Sequence, residues 1–211
     1  MNAADFRIGT TDAQVFALLL DVDDLAPTPR DLVEAPQGAS REAFLRRRAA
    51  TRRPVAQRLG VAASAVEIGH DPQGAPRLLA PQAPLFLSVS GREDFCAIAL
   101  GSRAVGVDIE PLEPEAKPVW SALHASEAAW LCALPKDAQS EAFLRLWTAK
   151  EAYLKALGTG FSRDPATIAV DFDFRLFVEG AEVALAAGEW RTVELGGRKY
   201  IVACIVNSSD A

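Results

Sequence analysis

Val105-Gly106-Val107-Asp108-Ile109-Glu110 alternates apolar and polar positions with a period of two, as a strand with one buried face does. Val105, Val107 and Ile109 then face a core, while Gly106, Asp108 and Glu110 share the opposite face. Two carboxylates at i and i+2 stand roughly 7 Å apart on a strand, within reach of one hydrated hard cation. The glycine ahead of them leaves room for another group to approach the backbone. Taken alone the stretch is also simply a polar strand end running into a loop, so its weight depends on what the rest of the chain sets beside it.

Working outward, residues 85–89, 95–100 and 104–109 read as strands. Turns at Gly91-Arg92-Glu93-Asp94 and Gly101-Ser102-Arg103 make them an expected antiparallel meander. Further strands are expected at 66–68 and in the apolar run Val15 to Leu20, which a Pro-rich, irregular stretch follows to about Gln37. Residues 40–59 have a helical pattern with Ser40 as N-cap, and Pro54 should kink or divide that helix. After Pro111, Pro114 and Pro118, helices are predicted over 126–134 and 138–157, the second closed by Gly158. Residues 167–206 return to strand patterns. The order strands, helix, strands thus occurs twice. It predicts an α+β fold of two similar lobes, 1–110 and 111–211, each a small, mainly antiparallel sheet packed against a long helix, with the active site in the cleft between them.

A chain of 211 residues with 50% hydrophobic and 24% charged residues has enough apolar mass for a real core. The net charge of −6 argues against a general nucleic-acid or anionic-membrane binder. No stretch has the run of about 18 apolar residues that a membrane span needs. Met1-Asn2-Ala3-Ala4-Asp5 lacks the basic start and apolar core of a signal peptide, and Cys96, Cys132 and Cys204 suggest neither a disulfide framework nor a zinc site. A cytoplasmic location is the expectation.

Two further constellations carry chemistry. On a helix, Trp147, Glu151, Leu154 and Lys155 fall on one side, which sets a carboxylate and an ammonium on a partly apolar face. Lys150 projects away from that face. In the other constellation, 17 of the 22 basic residues are Arg, and six of those lie between Arg41 and Arg53. Arg48 and Arg52 project to the apolar side of their helix and therefore need anionic partners, for which a phosphate is well suited because the guanidinium fork binds it in two places.

Considered jointly, Gly106 to Glu110, Trp147 to Lys155 and Gly158-Thr159-Gly160 resemble the 4′-phosphopantetheinyl transferase superfamily. Its pattern is G-[IV]-D-[IVL]-E, then [FW]-[ST]-x-K-E-[AS]-x-x-K, then G-x-G, and the resemblance is to the two-lobed, monomeric branch. It implies transfer of 4′-phosphopantetheine from coenzyme A to a serine of an apo acyl or peptidyl carrier protein, with release of adenosine 3′,5′-bisphosphate. It also implies Mg²⁺ held by Asp108, Glu110 and Glu151, with Glu151 doubling as general base and Lys155 at the phosphates. Arg48, Arg52, Ser88 and Ser90 are then the expected contacts to coenzyme A. The family places carrier contact in the segment from Pro111 to Ser126, within which Trp120 reads here as core.

Three positions depart from the family. Where it carries G-K-P and F-N-[IL]-S-H-S, this chain has Gly74-Ala75-Pro76 and Leu85-Phe86-Leu87-Ser88-Val89-Ser90. Lysine, asparagine and histidine are replaced by Ala75, Phe86 and Val89, and Arg77 is the nearest basic residue to the missing lysine. Two alternatives therefore stay open beside the transferase: a weakened or noncatalytic homologue that binds coenzyme A or a carrier, and a metal-dependent phosphodiesterase using the same carboxylates.

Overall fold

Residues 3–20, 26–92, 94–159 and 163–208 are described by the computed structural model. The first half of the chain runs β1 (Ala3–Arg7), β2 (Gln14–Leu19), α1 (Pro29–Glu34), α2 (Ser40–Leu59), β3 (Glu67–His70), β4 (Pro76–Ala80), β5 (Phe86–Gly91), β6 (Phe95–Gly101) and β7 (Val105–Pro111). The second runs α3 (Ala125–Ala133), α4 (Lys136–Leu157), β8 (Ile168–Val170), β9 (Leu176–Val178), β10 (Ala181–Glu182), β11 (Leu185–Leu195) and β12 (Arg198–Asn207).

Alternation along the strands builds two sheets that face each other. One has the order β1-β2-β6-β5 and the other β11-β12-β7, with every pairing antiparallel. Val15 and Ala17 of β2 and Ala97 and Ala99 of β6 meet Val107, Ile109, Val202 and Cys204 in a central apolar layer. The other face of β6, Cys96, Ile98 and Leu100, packs on Val55 and Ala56 of α2. On the far side Ile201, Ala203 and Ile205 of β12 pack on Leu146, Ala149 and Tyr153 of α4. The result is a helix–sheet–sheet–helix sandwich, in which β6 and β12 are buried on both faces, and it is the expected pair of similar α+β lobes. Two minor sheets, β3-β4 and β10-β9-β8, sit beside these layers.

Several local expectations are corrected. β7 does not close a meander with β6; it crosses to the other sheet and pairs with β12, Asp108 opposite Ala203 and Ile109 opposite Val202. A period of two specifies which face of a strand is buried and says nothing of which edge it pairs with. Ala39, not Ser40, occupies the N-cap of α2, in helical conformation and without a side-chain cap bond. The helix also continues unbroken across Pro54, which is buried with Val55 and Ala56 against the sheet. The stretch read as irregular contains α1, started by Thr28 and Asp31 in a reciprocal capping box with Pro29 in the first turn, a pattern that nucleates short helices. Trp120, read as core, is 46% exposed in a single 3₁₀ turn. Gly158 closes α4 in the left-handed region at φ 66°. Gly160, the second glycine of the expected G-x-G, and Glu93 of the predicted turn lie outside the described residues.

Candidate active site

Gly106 sets the distance between β7 and α4. A Cβ built on it would overlap the Ala152 carbonyl oxygen and crowd the Ala156 nitrogen, so only glycine lets strand and helix meet there. This contact lays the polar face of β7 against the side of α4 that carries Trp147, Glu151 and Lys155, spaced four residues apart along one stripe.

Asp108 is 3% exposed. Its Oδ1 accepts from the Lys155 ammonium at 2.7 Å and from the Ser90 hydroxyl at 2.6 Å. Lys155 also lies 2.8 Å from Ser90 Oγ, so β5, β7 and α4 are tied together through three side chains. Asp108 Oδ2 and Glu151 Oε1 are both buried without a hydrogen-bond partner among the described residues. Glu110 lies further out, where the Trp147 indole donates to it and Arg92 Nη2 reaches Oε2 at 3.4 Å.

The three carboxyls share one electrostatic neighbourhood. Burial first, then the charges of Asp108 and Glu110, push Glu151 up to about 7 against the pull of Lys155. Burial and then Asp108 raise Glu110 as well, with Arg92 opposing. Desolvation and like charge both favour the neutral form of an acid, so the site holds more negative charge than its own cations neutralise. Among the described residues no three His, Cys, Asp or Glu side chains are gathered into a closed metal cluster, and Lys155 is bonded to Oδ1 of Asp108. The buried, partnerless oxygens of Asp108 and Glu151, beside a third acid, are nevertheless hard donors of the kind a divalent cation takes, with waters or phosphate oxygens filling its other positions.

A cleft of about 390 Å³ opens from this cluster, walled by Gly74, Ala75, Leu87 and Val89 on one side and Glu151 and Lys155 on the other. The structure brings Asp108, Glu110, Glu151 and Lys155 together, and it gives the four other residues expected at coenzyme A partners within the protein. Arg52 is buried and donates to Asp31 and to the Ala26 carbonyl. Arg48 is buried and donates to the Ile68 carbonyl and to Glu34. Both lie on the predicted apolar side of α2, and their anionic partners here are acids of α1. Ser90 gives its proton to Asp108, and Ser88 Oγ accepts from the Val107 amide at 3.1 Å. Both serines therefore join β5 to β7; Ser90 spends its proton on Asp108, whereas Ser88 is engaged as an acceptor and also lines the cleft. Arg77 is paired with Asp71.

The structure adds two residues that sequence reasoning missed. Glu127 receives the fully buried Lys150 ammonium, which also donates to the Ala122 and Pro165 carbonyls at 2.9 and 3.1 Å. That pair ties α3 and the turn before it to the helix bearing Glu151. Arg92, just after β5, reaches Glu110 of β7 from the first sheet to the second. No local pattern announces either contact.

Comparison with known proteins gives matches in the same region. The model of the 4′-phosphopantetheinyl transferase superfamily matches residues 104–205. The chain is similar to 4′-phosphopantetheinyl transferase AcpT of Escherichia coli K12, 37% identical over 138 residues, covering 63% of this chain and 67% of that protein. It is also similar to HetI of a Nostoc species, 35% identical over 112 residues (50% of this chain, 47% of that protein). Sfp of Bacillus subtilis is 35% identical over 83 residues, 39% of this chain and 36% of its own length. HetI and Sfp carry the same transferase description.

Proposed function

The chain belongs to the 4′-phosphopantetheinyl transferase superfamily, and we propose that it moves 4′-phosphopantetheine from coenzyme A to a serine of an apo acyl or peptidyl carrier protein, releasing adenosine 3′,5′-bisphosphate. The observation that carries this reading is the pair of buried, partnerless carboxylate oxygens on Asp108 and Glu151 beside Lys155, at the head of the cleft.

Asp108, Glu110 and Glu151 would hold Mg²⁺, which supplies neutralisation of the pyrophosphate charge when bound. Lys155 donates to the transferring phosphoryl group and stabilises its charge. Glu151, whose proton affinity is raised to about 7, suits a general base working near neutrality and accepts the serine proton. The serine oxygen forms the new bond to phosphorus as the bond to the adenosine bisphosphate oxygen breaks, and the electron pair leaves with that oxygen. Seating the two substrates in one cleft replaces a bimolecular encounter with an oriented one.

In this reading residues 1–110 and 111–211 are two lobes of a cytoplasmic monomer, with β7 as the seam. Among the described residues no helix is long and apolar enough to cross a membrane, and the acidic balance, pI near 5.0, speaks against nucleic acid as a partner. The noncatalytic alternative gains one specific support: Ala75 and Val89 give the cleft apolar walls where the family has cations, and the Ser90 hydroxyl donates to Asp108.

Intact-mass measurement after mixing the protein with coenzyme A, Mg²⁺ and a panel of apo carrier proteins separates the two. The expected result is a phosphopantetheine increment on at least one carrier, abolished by Glu151→Ala in a protein that still folds. No increment on any carrier, with coenzyme A still bound, favours the noncatalytic homologue. Breakdown of coenzyme A without a carrier favours the phosphodiesterase.

A further inference from the structure

β5 and β7 run side by side at the cleft, yet β5 is paired with β6 in one sheet and β7 with β12 in the other. Side chains of β5 bridge them. Ser88 Oγ takes up the Val107 amide at 3.1 Å, a buried donor on the edge strand of its sheet that needs an acceptor. Two residues on, Ser90 reaches a carboxylate instead of the backbone.

The Ser90 hydroxyl closes a ring of three side chains. It donates to Asp108 Oδ1 at 2.6 Å and accepts from the Lys155 ammonium at 2.8 Å, while that ammonium donates to Asp108 Oδ1 at 2.7 Å. A hydroxyl has one proton, which is spent here on Asp108, and an ammonium has three donors, of which the ring uses two. Both bonds to Asp108 fall on Oδ1. Its Oδ2 stays buried and without a hydrogen-bond partner among the described residues, as does Glu151 Oε1. Ser90 is held firmly from behind: it sits opposite Ala97 in the ladder, and Gly91 packs so closely on β6 that a Cβ there would lie 2.3 Å from the Phe95 carbonyl oxygen. The cleft is walled by Ser88 and not by Ser90.

We propose that Ser90 is a positioning residue that divides the two oxygens of Asp108, tying Lys155 to Oδ1 so that Oδ2 is left for the divalent cation. This rests on the reading of Asp108 as a metal ligand of the transferase. An ammonium whose one partner is a buried carboxylate is drawn between both oxygens, where it interacts with each. There Lys155 would cover Oδ2 and compete with the cation. Ser90 offers a second acceptor to one side, which holds the ammonium off that line and leaves its third donor for the phosphoryl group. The same hydroxyl donates to Oδ1, so that oxygen is satisfied twice and Oδ2 is the one still seeking a partner.

Titration with Mn²⁺ in the absence of substrates, followed by the electron paramagnetic resonance signal of the free ion, tests this without turnover. A hydroxyl that served only to bind substrate would leave the titration unmoved. Ser90→Ala should weaken Mn²⁺ binding about 3- to 10-fold, the worth of one net hydrogen bond. Ser90→Thr should restore most of the affinity, because the hydroxyl returns on a residue suited to a strand. In a Lys155→Met background Ser90→Ala should change the affinity by less than about twofold, since no ammonium remains to be held aside. Unchanged affinity in Ser90→Ala, no recovery in Ser90→Thr, or an equal loss in the Lys155→Met background overturns the role of Ser90 and leaves the transferase reading standing. If the wild type itself holds no Mn²⁺, with or without coenzyme A, the metal assignment of Asp108 falls and the proposal falls with it.

Discussion

Replacing Glu151 by glutamine should abolish transfer and make the metal-free protein more stable at neutral pH. Glu151 is 7% exposed, and one of its oxygens has no partner. Its carboxyl is raised from an ordinary 4.5 to about 7 by burial and by Asp108. Because the folded value lies above the unfolded one, the native state keeps a proton through that window which the unfolded chain has shed. Stability contributed by the protonated form is full below pH 4.5 and is lost as pH rises through 7. At 1.36 kcal/mol per tenfold the ceiling is about 3 kcal/mol, and solvent screening brings the expected loss to roughly 1–3 kcal/mol. Glutamine removes the titration. Urea denaturation of both proteins at pH 5, 6, 7 and 8 in the presence of a chelator reads the difference directly. The stability gap should open in favour of Glu151→Gln from pH 5 to 8, and added Mg²⁺ should stabilise the wild type much more than the variant. A gap that does not change with pH, or a variant less stable than the wild type at pH 8, would refute the claim that Glu151 is a strained acid awaiting a cation.

Three other outcomes are expected. Lys155→Ala should lower kcat by about 10²–10³-fold with circular dichroism unchanged, since Lys155 is, among the described residues, the cation hydrogen-bonded to Asp108 and such donors act on developing charge; retention of more than a tenth of the activity would remove it from the reacting phosphate. Gly106→Ala should destabilise the protein by about 3 kcal/mol, the upper end for overpacking, because α4 must leave β7 to clear the Ala152 carbonyl; a thermal melt matching the wild type would show that the contact is looser. Lys150→Met should cost about 3–5 kcal/mol by leaving Glu127 charged and buried, and Lys150→Met with Glu127→Gln should recover at least half of that in chemical denaturation.

The parts of the site legible in sequence were those written in short-range periodicity. Asp108 and Glu110 follow from the alternation of β7, and Glu151 and Lys155 from the 3.6-residue spacing of α4, so both faces could be read before any contact was known. What brings them together is the absent side chain of Gly106, and that too is local. The long-range terms were not readable. Arg48 and Arg52 were set on the correct side of α2, but their partners Asp31 and Glu34 belong to a helix hidden in a Pro-rich stretch. The Thr28-Pro29-Arg30-Asp31 capping pattern was the available signal. Ser88 and Ser90 were correctly placed on a strand, yet a hydroxyl donates and accepts with equal ease, so nothing in the sequence could say that both would bond to β7. The transfer of β7 to the other sheet was invisible for a similar reason, since edge pairing is settled between segments about a hundred residues apart.

That pairing also fixes when the site can exist. Asp108 and Glu110 lie on a strand whose backbone partner, β12, begins only at Arg198. On the ribosome the carboxylate strand emerges long before its partner is made, and sheet contacts of such wide sequence separation form late. The first sheet and α2 can assemble from contacts within residues 3–101, whereas the polar face of β7 must wait in the nascent chain for almost the whole second half. Catalytic geometry here is therefore among the last things synthesis completes, and a chain cut short before β12 would carry every acidic residue of the site and still lack the site.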